Sequence, residues 1–349
     1  KPFAEIIKEV GITDPFILNW LNMLSFLLQG TPSDSLLSSV MAYMLGDWYK
    51  EDAILDFPKG GSGAIIDALI RAVQKNGGEV HGGAHVKEIL VGDEGQATGV
   101  RVESKGKVLD ISADAVVSNA DLWSTAKLLS PNAPADARNK YEDHYRKLTS
   151  EYDQCESFMH LHLGIDATGL PDDLWPQFAV VGDWSKPIES EGNVIIAAIP
   201  SKLDPSMAPE GKHVIHAYTA GNEPIDLWKN VERGSEQYNK LKEERSQVLW
   251  RALESVIPDI RQRVEVEMVG TPLTHERFLR RANGTYGPLV VAGEQTLPGH
   301  KTPIKGLYAC GDSTFPGIGV PAVAASGTIT ANTMLGIGAH FRNLAAMGF

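Results

Sequence analysis

The spacing of apolar residues near the start of the chain predicts two helices. Asp14 is a good helix cap, Pro15 suits a first helical turn, and the apolar run that follows ends at Gly30. Ser33 or Asp34 is the expected cap of the second helix, where apolar residues recur at helical spacing. Such a helical pair either packs on a core or forms the wall and membrane-facing mouth of an apolar channel, and the pattern is compatible with both.

The pattern changes at Phe57, where a glycine-rich turn begins. A helix is predicted over residues 64–76, and a Gly-Gly pair ends it. Asp121 is the expected cap of a short helix that reaches Leu129, and the polar segment NAPADARNK predicts an exposed break between domains. Between the two helices lie four strand-like segments, AHVKEILV, ATGVRVES, KVLDISA and DAVVSNA.

Strand-like alternation dominates the middle of the chain. A long helix from about Ser235 to Val256 interrupts it, with one apolar and one charged face, as is typical of a helix that lies on a core. The predicted strands are ESFMHLHLGI, QFAVVGDW, NVIIAAIPS, KHVIHAYTAG and VEVEMVGTPL. Together they predict a second domain that is built around a sheet.

Length and charge narrow the possible functions. The chain has 349 residues, 43% of them hydrophobic, which is enough for two domains with separate cores. Its net charge of −12 would repel a nucleic-acid backbone, so nucleic acid is not an expected partner. Cys155 and Cys310 are far apart and have no metal-type spacing, which argues against a disulfide framework.

Two features concern targeting. The longest nearly apolar run, Phe16 to Leu28, is shorter than the roughly 20 residues that cross a bilayer, so no transmembrane helix is predicted. The chain opens at Lys1 in the middle of a helical pattern, without an initiator Met or a leader-like composition. We therefore expect that its natural beginning is missing.

The most informative segment is GLYACGDSTFPGIGVPAVAASGTITANTML, near the C-terminus. A short apolar strand leads into Gly311, which allows close backbone approach, and Asp312, which can accept a hydrogen bond from a sugar hydroxyl. Gly317 and Gly319 permit a tight turn, and the helix predicted from Val320 offers free N–H groups to an anion. These features suit a bound dinucleotide, although the GxGxxA match alone is weak.

This segment closely resembles the C-terminal flavin motif of the carotenoid isomerase and phytoene desaturase family, within the larger group of amine-oxidase-like flavoproteins. The resemblance covers essentially the whole chain and is nearest to the carotenoid-isomerase-like branch of plastid-bearing organisms. It extends to FPKGGSGAIIDAL, AVVSNADLW, ESFMHLHLGID and VGTPLTHERFLRRANGTYGP.

The resemblance implies an α/β (α+β) fold: a discontinuous, glutathione-reductase-like FAD-binding domain with an inserted mixed-sheet substrate domain. The expected segments are 1–56 (helical part of the substrate domain), 57–130 (FAD-binding), 131–304 (substrate domain) and 305–349 (FAD-binding). FAD is the implied cofactor. The residues that it would contact are Gly311 and Asp312 at the ribityl and pyrophosphate region, Gly317, Gly319, Val320 and Pro321 at the isoalloxazine, and Val86 at the adenine.

One departure from the family concerns its N-terminal dinucleotide-binding motif, a strand, GxGxxG and a helix. No such motif occurs in this sequence, and the glycines at 60, 61 and 63 do not replace it, because no apolar strand leads into that turn. Either the N-terminal region is missing from this chain, or the protein is a variant that holds FAD poorly.

Several histidines are candidates for metal binding or proton transfer. His160 and His162 share one face of a predicted strand, but a third ligand at suitable spacing is missing, so no metal site is predicted. His213 and His216 fall on opposite faces of another strand and suit structural roles. His275 and Arg280 lie in a charge-dense segment and are candidate catalytic residues beside a flavin, with surface ion pairing as the alternative.

The reaction implied by the resemblance is cis-to-trans isomerisation of an apolar carotenoid polyene, with no net redox change. A desaturase or saturase reaction and a non-redox hydration of an end group are alternatives on the same scaffold. A flavin-less carotenoid-binding or assembly protein is the non-enzyme alternative. The implied location is the plastid, either soluble or in peripheral contact with a membrane.

Overall fold

The computed structural model describes residues 1–53 and 56–348. The helices are α1 (Phe3–Val10), α2 (Pro15–Gln29), α3 (Ser38–Trp48), α4 (Ser62–Lys75), α5 (Leu122–Thr125), α6 (Ala135–Glu151), α7 (Pro200–Leu203), α8 (Glu236–Glu254), α9 (Ile260–Arg263), α10 (Pro272–Leu279), α11 (Val320–Met334) and α12 (Ile337–Met347). The strands are β1 (Ala84–Val91), β2 (Ala97–Ser104), β3 (Lys107–Ser112), β4 (Val116–Ser118), β5 (His160–Asp166), β6 (Gln177–Val181), β7 (Val194–Ala198), β8 (Lys212–Thr219), β9 (Val264–Gly270) and β10 (Leu307–Ala309).

The chain forms two compact units, each assembled from separate segments. Unit 1 contains Lys1–Val80, Cys155–Leu279 and Asn283–Tyr286, and unit 2 contains His81–Gln154, Arg280–Ala282 and the chain from Gly287 onward. The division made from the sequence differs from this one. It placed residues 57–80 with the FAD-binding segments, and residues 131–154, 280–282 and 287–304 with the substrate domain. Residues 54 and 55, within its first segment, lie outside the described part.

The N-terminal helices of unit 1 follow local capping rules in part. The Asp14 side chain accepts hydrogen bonds from the N–H groups of Phe16 and Ile17, and α2 ends at Gly30 in the left-handed conformation, as predicted. The expected cap of α3 at Ser33 or Asp34 is wrong, because α3 begins at Ser38. The backbone before α3 instead binds the start of α1: the Ser33 and Leu36 carbonyls accept hydrogen bonds from the first N–H groups of α1.

The core of unit 1 lies on one face of a five-stranded sheet, in the order β6-β7-β8-β5-β9. Every pairing between these strands is antiparallel, so the sheet is antiparallel where a mixed sheet was expected. Alternate residues of β5, Leu161 to Ile165, are buried and pack with Leu249 and Leu253 of α8. The pleat therefore turns His160 and His162 to the opposite face.

Unit 2 contains the antiparallel sheet β1-β2-β3 and the parallel pair β4 and β10. The expected exposed break at NAPADARNK is wrong, because α6 begins there. Tyr141 and Tyr145, one helical turn apart, are buried with ring centroids 4.4 Å apart. The Tyr141 hydroxyl donates to the Thr125 carbonyl at 2.5 Å, which ties α6 to α5. Tertiary burial thus stabilises a helix whose sequence looks polar.

The helices are too short or too polar to cross a lipid bilayer in the part of the chain that the structure describes. In the ranges 1–53 and 56–348, no helix combines the length and the apolar character that a membrane span requires.

Candidate functional site

The Gly-Asp turn of unit 2 follows directly from the parallel strand pair. β10 pairs with β4, and the chain leaves β10 through Cys310 into Gly311. Gly311 has a φ of +103°, and its N–H donates to the buried Ser326 hydroxyl at 2.8 Å. A Cβ at this position would lie 2.6 Å from Nδ2 of Asn119. The positive φ therefore favours glycine, and any other residue would also have to displace the exposed Asn119 side chain.

Replacing Gly311 with alanine is expected to lower the free energy of unfolding by about 1 to 3 kcal/mol, since the added Cβ strains the backbone and displaces Asn119. Urea denaturation followed by circular dichroism measures this. Gly327→Ala in α11 is the matched control, because a Cβ there meets no heavy atom within 4 Å in the described chain. Equal stability of both variants would contradict the requirement for glycine at 311.

Asp312 lies next to this glycine and forms an ion pair. Its carboxylate accepts a hydrogen bond from Nη1 of Arg281 at 2.7 Å, and both side chains are less than 20% exposed. Arg280, the residue selected from the sequence, instead has an exposed side chain and a left-handed backbone with a φ of +57°. The Asp121 carboxylate accepts from the Ala282 N–H at 3.1 Å, which helps to hold this basic segment beside α5.

The glycine turn leads into α11. Gly317 and Gly319 have φ values of +119° and +103°, and Gly319 is the N-cap of the helix. Within the described residues, no side chain caps this first turn, so its N–H groups remain available to an anion. Val320 is 71% exposed and Pro321 follows it in the first turn. A segment of turns and bends joins these residues to Gly311 and Asp312.

Val86 lies elsewhere in unit 2, on β1. It is half-buried and pairs with Val102 of β2, and the register shifts between Val86 and Glu88. A bulge of this kind changes the direction of the strand locally. The role of Val86 at an adenine stays a prediction.

A second group of candidate side chains lies on the face of the unit 1 sheet that is opposite its core. We call this the open face of the sheet. Nδ1 of His160 is 2.7 Å from Nε2 of His216, and Nε2 of His160 is 2.7 Å from Nε2 of His275 on α10. The ring of His162 stacks on that of His216, with centroids 4.3 Å apart. We call His160, His162, His216 and His275 the histidine cluster. Aromatic rings of Phe158 and Tyr218 contact it.

Three members of the histidine cluster, His160, His162 and His216, have lowered pKa values and are mainly uncharged at neutral pH. Burial, followed by the three neighbouring imidazoles, lowers the pKa of His160 to about 2. Burial, His162 and His275 lower the pKa of His216 to about 4, and burial also lowers the pKa of His162. Neutral imidazoles and aromatic rings make this face suitable for an apolar ligand.

The fold brings together several residues that the sequence analysis did not connect. His275 was a candidate catalytic residue, whereas His160 was expected to have a structural or pocket-lining role and His216 a structural one. Arg281 and Ser326 were not candidate site residues. His213, on the opposite face of β8, contacts the Ser201 hydroxyl at 2.9 Å, in keeping with its structural role. The alternation of β8 separates His213 from His216, but cross-strand partners depend on sheet order, which the sequence does not specify.

Comparisons with known proteins agree with the flavin-type features. Residues 7–335 match the model of the flavin containing amine oxidoreductase family. A chloroplastic prolycopene isomerase of Daucus carota is 36% identical over 284 residues, which cover 80% of this chain and 44% of that protein. A lycopene-forming phytoene desaturase of Pseudescherichia vulneris is 26% identical over 297 residues, which cover 80% of this chain and 56% of that protein.

A solved oxidoreductase of Methanosarcina mazei has a TM-score of 0.62 and 22% sequence identity, over 96% of this chain and 68% of that one. This likeness supports the fold expected from the sequence. The chain spans about half the length of the curated relatives it matches. Since the family model covers nearly all of its residues, the chain belongs to the flavin containing amine oxidoreductase family.

Proposed function

We propose that this chain belongs to an FAD-dependent carotenoid isomerase that converts cis to trans double bonds in a polyene with no net redox change. The observation that carries this proposal is the 36% identity to a prolycopene isomerase across 80% of the chain. Identity to the phytoene desaturase, over the same share of the chain, is 26%. The comparison therefore favours isomerisation over desaturation.

The proposed flavin contacts lie in unit 2. Gly311 and Asp312 would hold the ribityl and pyrophosphate region, and Gly317, Gly319, Val320 and Pro321 would lie at the isoalloxazine, with Val86 at the adenine. The turn fits such a group, because Gly311 has no side chain to block close approach to its backbone and the first turn of α11 presents N–H groups. FAD, when bound and reduced, would supply the electrons that transiently weaken a polyene double bond.

The proposed polyene contacts lie on the open sheet face of unit 1. The histidine cluster, with Phe158 and Tyr218, offers stacked and edge-on rings to a conjugated chain. Such a surface excludes water and orients the substrate. His275, linked to His160 at 2.7 Å, is the candidate there for holding or moving a proton, whereas the exposed side chain of Arg280 keeps surface ion pairing as its alternative role.

We further propose a plastid location with peripheral membrane contact, as a carotenoid substrate is apolar. Exposed aromatic side chains of unit 1 support the contact: Phe16 is 60% exposed, and its ring centroid lies 6.1 Å from that of Trp184, which is 46% exposed. Aromatic residues of this kind favour the interface between lipid and water.

The test uses the complete gene product with FAD, reduced anaerobically with dithionite and supplied with prolycopene. Conversion to a trans isomer of unchanged mass, and none with oxidised FAD, is the expected result. Loss of hydrogens identified by mass spectrometry would indicate a desaturase, and gain of water would indicate a hydratase. Bound pigment without conversion would indicate a carotenoid-binding protein and not an enzyme.

A further inference from the structure

The histidine cluster contains a group of ligand atoms that the flavin reaction does not require. One nitrogen from each of His160, His162 and His216 lies within 4.8 Å of the other two. In a tetrahedral zinc site with Zn–N distances of about 2.1 Å, two ligand nitrogens lie about 3.4 Å apart. The widest separation in this group must therefore shrink by up to about 1.4 Å before all three nitrogens can bind one ion.

The antiparallel register creates this group. His162 of β5 pairs directly with His216 of β8, and His160 pairs with Tyr218 one step along the same face. Cross-strand neighbours on one face have Cβ atoms about 4.5 to 5.5 Å apart. The third ligand that seemed to be missing from the sequence is thus supplied by a strand that lies far away along the chain.

We propose that His160, His162 and His216 form a binding site for a transition metal ion of the zinc class. Neutral imidazole nitrogens are good ligands for zinc, copper, iron and nickel. Nδ1 of His160 lies 2.7 Å from Nε2 of His216, so two of the proposed ligand nitrogens already face each other. His162 is exposed, which gives a metal ion a route from solvent.

His275 would position one ligand. If His160 coordinates through Nδ1, which faces His216, its Nε2–H is left to donate to Nε2 of His275 at the observed 2.7 Å. Metal-bound histidines commonly donate their second N–H in this way, which fixes the tautomer and the ring orientation. His275 is therefore a positioning residue in this site.

Coordination requires the rings to turn. The rings of His162 and His216 are nearly parallel, with an interplanar angle of 3°, whereas a lone pair lies in its own ring plane. Rotation about Cβ–Cγ redirects the lone pairs without moving the backbone, and this torsion is broad in histidine.

Three protein ligands would leave a fourth position open. His162 also lines a cavity of about 670 Å³, together with Arg233, Lys242 and Arg277. These cationic side chains favour a negatively charged fourth ligand, such as hydroxide or a carboxylate. The site is therefore of the open type.

The experiment titrates EDTA-treated, dialysed protein with Zn²⁺ by calorimetry and with Co²⁺ by visible absorption, in the absence of FAD and polyene. We expect one ion per chain. His160→Gln and His216→Gln should each weaken binding by at least about tenfold. His162→Gln, at an exposed position, should do the same in a chain whose thermal unfolding is unchanged.

His213→Gln is the matched control, because His213 lies on β8 but on the other face of the sheet. The affinity of this variant for Zn²⁺ should equal that of the parent chain. Two results would overturn the proposal: no stoichiometric zinc binding, or the same loss of affinity in His213→Gln and the cluster variants. Because no flavin or polyene is present, these outcomes are independent of the proposed isomerase activity.

Discussion

Replacing Asp312 with alanine is expected to weaken FAD retention by at least tenfold in the complete gene product. A hydrogen bond to a charged group contributes about 1.5 to 3 kcal/mol, and each factor of ten in affinity corresponds to about 1.4 kcal/mol. The substitution removes the proposed carboxylate contact with the cofactor and also the observed partner of Arg281. Titration of the apoprotein with FAD, followed by flavin fluorescence, measures the change.

Two variants separate the proposed cofactor contact from the ion pair. Arg281→Gln breaks the ion pair but keeps the carboxylate, so it should retain FAD better than Asp312→Ala. Asp114→Ala removes an exposed carboxylate from the same unit and should leave affinity unchanged. Unaltered FAD affinity in Asp312→Ala would mean that the C-terminal motif has been assigned to the wrong ligand.

Acidification is expected to destabilise unit 1 strongly. The folded-state pKa of His160, about 2, lies below the ordinary value of 6.5, so the unfolded chain binds this proton more tightly. Stability is complete above pH 6.5 and falls as the pH drops toward the folded-state value. At pH 4.5 the loss is about 2 to 3 kcal/mol from His160 alone, since each unit of pKa difference corresponds to about 1.36 kcal/mol. His216, with a pKa of about 4, acts in the same direction.

Urea denaturation between pH 7.5 and 4.5, with EDTA present, measures this dependence. His160→Gln should flatten the decline, because the amide does not titrate in this range. His85→Gln, at an exposed position on β1, should follow the parent chain. A parallel decline in His160→Gln and the parent chain would show that other groups control acid unfolding.

Elements with strong local signals were predictable from the sequence. The Asp14-Pro15 start of α2 and the Ser235 cap of α8 depend on neighbouring residues only, and both were located correctly. The sheet strands of the middle segment were identified by their alternation. By contrast, α6 looks polar because few of its residues are apolar, and its stability comes from Tyr141 and Tyr145 packing on distant parts of the chain.

The candidate site residues show the same contrast between local sequence signals and contacts that depend on long-range folding. Gly311 and Asp312 could be proposed because strand, glycine and acid follow one another directly in the sequence. The Arg281 partner of Asp312 and the His216 partner of His160 are set by chain folding across long separations, and single-sequence spacing contains no measure of these distances. The sequence analysis named Arg280 and not Arg281, because the backbone conformation that separates the two side chains cannot be read from the sequence.

The parallel pairing of β4 with β10 has a consequence for biosynthesis. Val116–Ser118 and Leu307–Ala309 meet only after the ribosome has made all of the chain between them. Closing so long a loop carries a large entropy cost and slows formation of the contact. A nascent chain that stops before Leu307 would therefore contain the complete antiparallel sheet of unit 1 but not the Gly311 turn, so this turn is expected to form late in maturation.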